Sequence, residues 1–232
     1  LIDRVSTEGH MDAFTLVDTF GVLSPHAATY FTKKVKERVK KPLEIHFHSD
    51  FGMGVANTIN AVLAGAEVIH STVLGIGERA GNTPMEETVL ALLTMYGIDV
   101  GLNYGKMNEL SKLVRDLSGV QIPSCRPFVG EGAYTIESGI VTGWFKNVFE
   151  SHPTTVFPVH PEFVGHDAPQ IVLGKKSGLD NVDLWAKRLG VELSEEQSNA
   201  LLQEVKLMSH DLKRVISEDE FRKLAKKVKA KS

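Results

Sequence analysis

The chain has 232 residues, 42% hydrophobic and 24% charged, a globular balance that excludes a disordered polymer. No run approaches the roughly 18 apolar residues of a membrane span, and a formal net charge of -3 gives no global attraction to nucleic acid. The single cysteine, Cys125, cannot form an internal disulfide, so the cytoplasm is the expected compartment.

In the first half, strand-like and helix-like stretches alternate. Residues 11–18 read as a strand ending in the turn Thr19, Phe20, Gly21. Ser24 caps a helix with Pro25 at its first position. Its apolar stripe, Ala28, Phe31, Val35 and Val39, runs to Lys40. Residues 43–48 alternate with period two, placing Leu43, Ile45 and Phe47 on one face and Glu44, His46 and His48 on the other. A helix over 57–64 ends at Gly65, a third strand covers 66–75, and Thr83, Pro84 and Glu86 read as a capping box for a helix to Tyr96, with Gly97 as its C-cap. Short loops between such units predict parallel βαβ structure. A helix-rich connector over 101–117 follows, then a Pro- and Gly-rich irregular stretch over 120–180. Helices are expected over 182–189, 194–212 and 217–229, with Ser194 and Ser217 as caps. In the lysine-rich end, 222–231 with the preceding Phe221, the residues Phe221, Leu224, Ala225 and Val228 share one face, which marks a surface helix. The division falls near residue 105, giving segments 1–105 and 106–232.

Chemistry concentrates at three strand ends. His46 and His48, two apart on a strand, project to one side about 6.5 Å apart along the chain, so both imidazoles can reach one metal ion if a third ligand joins them, and otherwise read as two polar residues at a strand end. Asp50 follows as an orienting acceptor or alternative ligand. Residues 75–82, GIGERAGN, resemble a dinucleotide turn, but GxGxxxG is one residue too long, and Glu78 would repel a pyrophosphate. A glycine turn capped by Thr83 explains the run equally well, as does a rim on which Asn82 and Glu78 face the two histidines. Asp18 and Thr19 either shape a turn or offer a hydroxyl to a carboxylate. Polar groups at three successive strand ends favour a site.

Those residues carry a family resemblance. The runs HFHSDFG (46–52), VAN (55–57), AGA (64–66) and TVLGIGERAGN (72–82) resemble the 2-isopropylmalate and homocitrate synthases, relatives of metal-dependent acyl-CoA lyases. RPFVG (126–130), ESG (137–139), PEFVG (161–165), LGKKSG (173–178) and the helical tail extend the likeness over nearly the whole chain. The resemblance implies an α/β fold: the C-terminal portion of a (β/α)8 TIM barrel, its last three βα units in 1–105, followed by a small, mostly α-helical dimerisation subdomain. It implies an acyltransferase that condenses acetyl-CoA with a 2-oxo acid at a divalent zinc, manganese or magnesium ion, releasing coenzyme A. His46 and His48 become metal ligands, Asn82 lies at or beside the metal, and Thr19 contacts the oxo-acid carboxylate.

Three departures shape the expectation. The strand bearing the family's Arg-Asp pair, whose Asp is the third metal ligand, has no counterpart, and three strands cannot close a barrel. With Leu1 in first place, the chain is expected to be a piece of a longer polypeptide or one half of a split enzyme whose companion chain supplies the other strands. Ile136, Val141 and Val156 stand where the family carries two histidines and a tyrosine, and an aliphatic side chain cannot move a proton. The catalytic base is therefore unassigned, with Tyr134, Glu137, His152, His160 and His166 as candidates. Ser49 replaces an Asn or Asp. The further regulatory domain of many family members is expected to be lacking. The rival readings are a carbon–carbon lyase, disfavoured because residues 75–82 contain no cysteine, and an inactive fragment that serves only dimerisation.

Overall fold

Leu43, Ile45 and Phe47 are buried, and Glu44 and His46 between them are only partly covered. Period-two alternation therefore survives folding: strand β2 (Leu43–Phe47) packs one face into a core and leaves its polar face more open. In this computed structural model, which describes residues 1–230, β2 is flanked in parallel by β1 (Phe14–Asp18) and β3 (Val68–His70), in the order β1-β2-β3. The register pairs Leu16 with Ile45 and His46 with His70. Among the described residues, neither β1 nor β3 has a strand on its outer edge.

Helices α1 (Ile2–Glu8), α2 (Pro25–Lys36), α3 (Gly54–Leu63), α4 (Met85–Tyr96) and α5 (Met107–Ser118) complete the first unit, Leu1–Pro123. Ala28, Ile45, Phe47, Ala61 and Ala66 form one core cluster, and Val35, Val39 and Leu43 another. Burying Ile45 and Phe47 contributes about 1.5–3 kcal/mol each. Ser24 accepts the Ala27 N–H as expected, but α2 stops at Lys36 and its buried stripe runs through Thr32, with Phe31 turned out at 49% exposure. The short amphipathic helix α1 was not anticipated; it buries no residue of its own.

The second unit, Ser124–Ser232, pairs the two-residue strands β4 (Thr135–Ile136) and β5 (Gln170–Ile171) in parallel. Around them lie α6 (Gly139–Val148), α7 (Leu179–Leu189), α8 (Glu195–Leu212) and α9 (Glu218–Lys229). Ser194 and Ser217 form the anticipated caps, each in a full capping box with Gln197 and Glu220. Phe221, Leu224, Ala225 and Val228 turn inward and join Leu173, Val182, Trp185, Leu201 and Val205 in one core. Lys231, at the end of the lysine-rich stretch, lies outside the described residues.

Three boundaries differ from the sequence reading. The division falls after Pro123, not near 105, because α5 stays with the first unit: Ser111 Oγ donates to the buried Glu86 carboxylate at 2.8 Å. The third strand shortens to three residues because the chain then turns through a tight helical turn, Val73–Gly75, with Leu74 at φ 62°. The capping box at α4 does not form. Glu86 instead accepts the Leu74 N–H with both carboxylate oxygens at 3.0 Å, and Thr83 Oγ1 donates to the Phe47 carbonyl at 3.1 Å. Tertiary partners outcompete a local cap when a buried N–H must be satisfied. Gly97 does end α4, at φ 67°.

Candidate metal centre

His46 sits near the end of β2 and His48 just beyond it, so the pleat turns both rings to one side. Their Nε2 atoms lie 3.3 Å apart, with ring planes crossing at 70°. Two ligands held about 2.0–2.1 Å from one zinc ion at a tetrahedral angle are separated by about 3.3–3.4 Å. Burial, then the neighbouring His48 and His70, hold the His46 pKa below the ordinary histidine value, so at neutral pH its lone pair is free to coordinate.

Asn82 is brought to the same place by the loop after β3. Its backbone forms an antiparallel bridge with His48, and flanking bonds run from Ser49 N–H to the Gly81 carbonyl and from Thr83 N–H to that of Phe47, both 3.0 Å. Its amide nitrogen donates to the Ile76 carbonyl at 3.1 Å, while its Oδ1 is buried without a hydrogen-bond partner. A buried, unpaired acceptor costs about 1–3 kcal/mol unless something occupies it. Gly77 permits this placement: a Cβ there would lie 2.6 Å from the Asn82 Nδ2. Imidazole nitrogens and an amide oxygen are donor types that divalent ions accept. Among the described residues, no cluster of three or more His, Cys, Asp or Glu side chains is placed to hold a metal ion.

The other rim residues have structural tasks. The buried Asp18 carboxylate accepts the Val22 and Leu23 N–H groups at 3.1 and 2.9 Å, building the turn after β1 and leaving Thr19 exposed at its start. Asp50 does not orient His48. It takes a forked ion pair from Arg79 at 2.8 and 3.1 Å, which holds its carboxyl below the usual range. Glu78 is 86% exposed at its side chain and lies 3.5 Å from Arg79 Nη1.

Sequence reasoning missed His70, which the register places beside His46, with ring centroids 5.7 Å apart. His70 Nε2 lies 3.0 Å from Glu44 Oε2, and Thr15 Oγ1 donates to the same oxygen at 2.9 Å. The signal was available: Thr15, Glu44, His46 and His70 all occupy the polar parity of three parallel strands. In the second unit, Ile136 is buried in β4, Val141 lies in α6, and Val156 follows the short turn Pro153–Thr155. Of the proton-transfer candidates, Tyr134 is buried, its hydroxyl pushed up to about 12 by desolvation. Glu137 accepts the Lys176 N–H, His152 rests against Ser151, His160 stacks on Phe149, and His166 Nε2 lies 3.1 Å from the Gly130 carbonyl.

Two family models match this chain: HMGL-like over residues 3–114, and homocitrate synthase post-HMGL domain-like over residues 128–214. Among curated relatives, a putative (R)-citramalate synthase CimA of Methanopyrus kandleri is 42% identical across 91% of this chain and 41% of its own length. Homocitrate synthase AksA of the same organism is 42% identical over 88% of this chain and 50% of its own. The 2-isopropylmalate synthase of Methanocaldococcus jannaschii is 36% identical over 97% and 44%. The chain thus spans two fifths to one half of the length of these relatives.

Proposed function

This chain belongs to the 2-isopropylmalate and homocitrate synthase family, and we propose on that premise that it forms the C-terminal part of a metal-dependent acyltransferase. The reaction joins the methyl carbon of acetyl-CoA to the ketone carbon of a 2-oxo acid, the methyl proton being lost and the new alkoxide protonated; water then hydrolyses the thioester, giving a hydroxylated di- or tricarboxylic acid and free coenzyme A. The observation that carries the reading is the 3.3 Å separation of the His46 and His48 Nε2 atoms, with the unpartnered Asn82 oxygen on the segment whose backbone bridges to His48.

A divalent zinc, manganese or magnesium ion, when bound, supplies a Lewis acid for the ketone oxygen. His46 and His48 would hold it through their ring nitrogens, with the Asn82 amide oxygen as a further donor. Thr19, exposed at the end of β1, donates its hydroxyl to the oxo-acid carboxylate. Enolisation requires a base, and Ile136, Val141 and Val156 cannot serve. Desolvation pushes the Tyr134 hydroxyl up to about 12, which keeps it protonated at neutral pH, so the base is left unassigned.

In this reading β1 to β3 are the last three strands of a (β/α)8 barrel. Their outer edges and polar face are covered by the barrel's other strands, from the same polypeptide or a companion chain. The second unit dimerises, and the enzyme works in the cytoplasm. No helix among the described residues is long and apolar enough to cross a membrane.

The test begins with the mass of the native material, denatured and then intact, to identify any second polypeptide. Coenzyme A release is then followed across a panel of 2-oxo acids. Replacing His46 or His48 by Ala should remove both bound metal and turnover. If either variant retains them, the assignment fails.

A further inference from the structure

We propose that Arg79 is a positioning residue: its guanidinium locks the loop after β1, and with it Thr19, to the loops after β2 and β3. The inference rests on the oxo-acid role proposed for Thr19. Strands β1 and β3 are not neighbours, because β2 lies between them. Backbone bonds join adjacent loops, His48 N–H to the Asp18 carbonyl and Ser49 N–H to that of Gly81. Arg79 spans the outer pair directly. Its Nε and Nη2 fork onto the two Asp50 oxygens at 2.8 and 3.1 Å, and Nη2 also donates to the Thr19 carbonyl at 2.5 Å. The guanidinium carbon sits 5.5 Å from the centre of the Phe20 ring.

Two backbone features serve this arrangement. Arg79 adopts φ 55°, an unfavourable conformation for a side chain with a Cβ, which its contacts must hold in place. Gly21, at φ 59°, seats the β1 loop against Asp50; a Cβ there would lie 2.6 Å from the Asp50 backbone nitrogen. Lysine cannot replace the guanidinium, because one ammonium lacks the planar fork that grips a carboxylate while reaching a carbonyl and covering a ring. The ion pair is partly solvated, with side-chain exposures of 35% and 23%, so it contributes little to global stability. Its effect is to fix the Thr19 peptide, so that the hydroxyl is placed before substrate arrives.

The test uses this chain, with Arg79→Ala and Arg79→Lys, in two measurements. Amide hydrogen exchange of Arg79→Ala should accelerate about tenfold in 19–23 and 76–82 while β1 and β2 keep their protection, and Arg79→Lys should resemble Arg79→Ala. Unchanged exchange in those loops overturns the proposal. So does equal acceleration throughout the first unit, which would mark an ordinary stability role. Second, pyruvate, as the 2-oxo acid probe, is titrated into the zinc-loaded assembly in which the other barrel strands complete the site. Arg79→Ala should weaken pyruvate binding about tenfold with zinc affinity unchanged. Loosened loops with undiminished pyruvate binding also overturn it. If the completed, zinc-loaded parent assembly does not bind pyruvate, the oxo-acid reading of Thr19 fails, and with it the role assigned to Arg79.

Discussion

Glu86 is the residue through which the scaffold holds the site loop, and its replacement has a calculable cost. It is fully buried, receives the Leu74 N–H on both oxygens at 3.0 Å, and receives the Ser111 hydroxyl at 2.8 Å. One carboxylate thus ties α4 to the left-handed turn that begins the run to Asn82, and to α5. Glu86→Ala strands a buried N–H and a buried hydroxyl, at about 1–3 kcal/mol each, and leaves a cavity. The expected loss is about 3–5 kcal/mol. Glu86→Gln keeps the shape and one acceptor oxygen, and loses mainly charge assistance, about 1 kcal/mol. Trp144 and Trp185 both lie in the second unit, so tryptophan fluorescence reports that unit while amide exchange in β2 reports the first. With a urea slope of about 2 kcal/mol/M, Glu86→Ala should lower the midpoint of the first unit by about 2 M, and Glu86→Gln by about 0.5 M. A Glu86→Ala midpoint within about 0.5 M of the parent would refute the reasoning, which draws on a slope typical of small domains.

Gly77→Ala should displace the Asn82 amide, which a Cβ would approach to 2.6 Å, and weaken zinc binding by calorimetry while His46 and His48 stay in place. Equal affinity would remove Asn82 from the ligand set. Phe221→Ala empties a fully buried position in the second core and should cost about 3–5 kcal/mol, read by tryptophan fluorescence in urea. Glu220 carries a pH dependence: the Arg214 fork, then the Ser217 N–H, lower its carboxyl from 4.5 to about 2 in the folded chain. Its stabilising contribution is complete above about 4.5 and is lost as pH falls toward about 2. Glu220→Gln should flatten that part of the acid profile of the second unit; an unchanged profile would show the pair to be inert.

Much of the frame was legible in the chain because its signals are local. Period-two burial in 43–47 requires only the pleat, Ser194 and Ser217 cap their helices through residues three positions on, and Gly97 ends α4 because glycine tolerates a positive φ. The i and i+2 spacing of His46 and His48 placed both rings on one side of the strand before any fold existed. What tertiary structure decided was where long-range partners overrule local preference. Glu86 leaves a cap to satisfy Leu74, Asp50 turns from His48 to Arg79, and Phe31 yields the core to Thr32. His70 reaches His46 only through strand register, which links residues 24 positions apart that no spacing rule connects. The physical reason is the same in each case: buried polar groups take the partner that folding places nearest, and that partner lies far away in sequence.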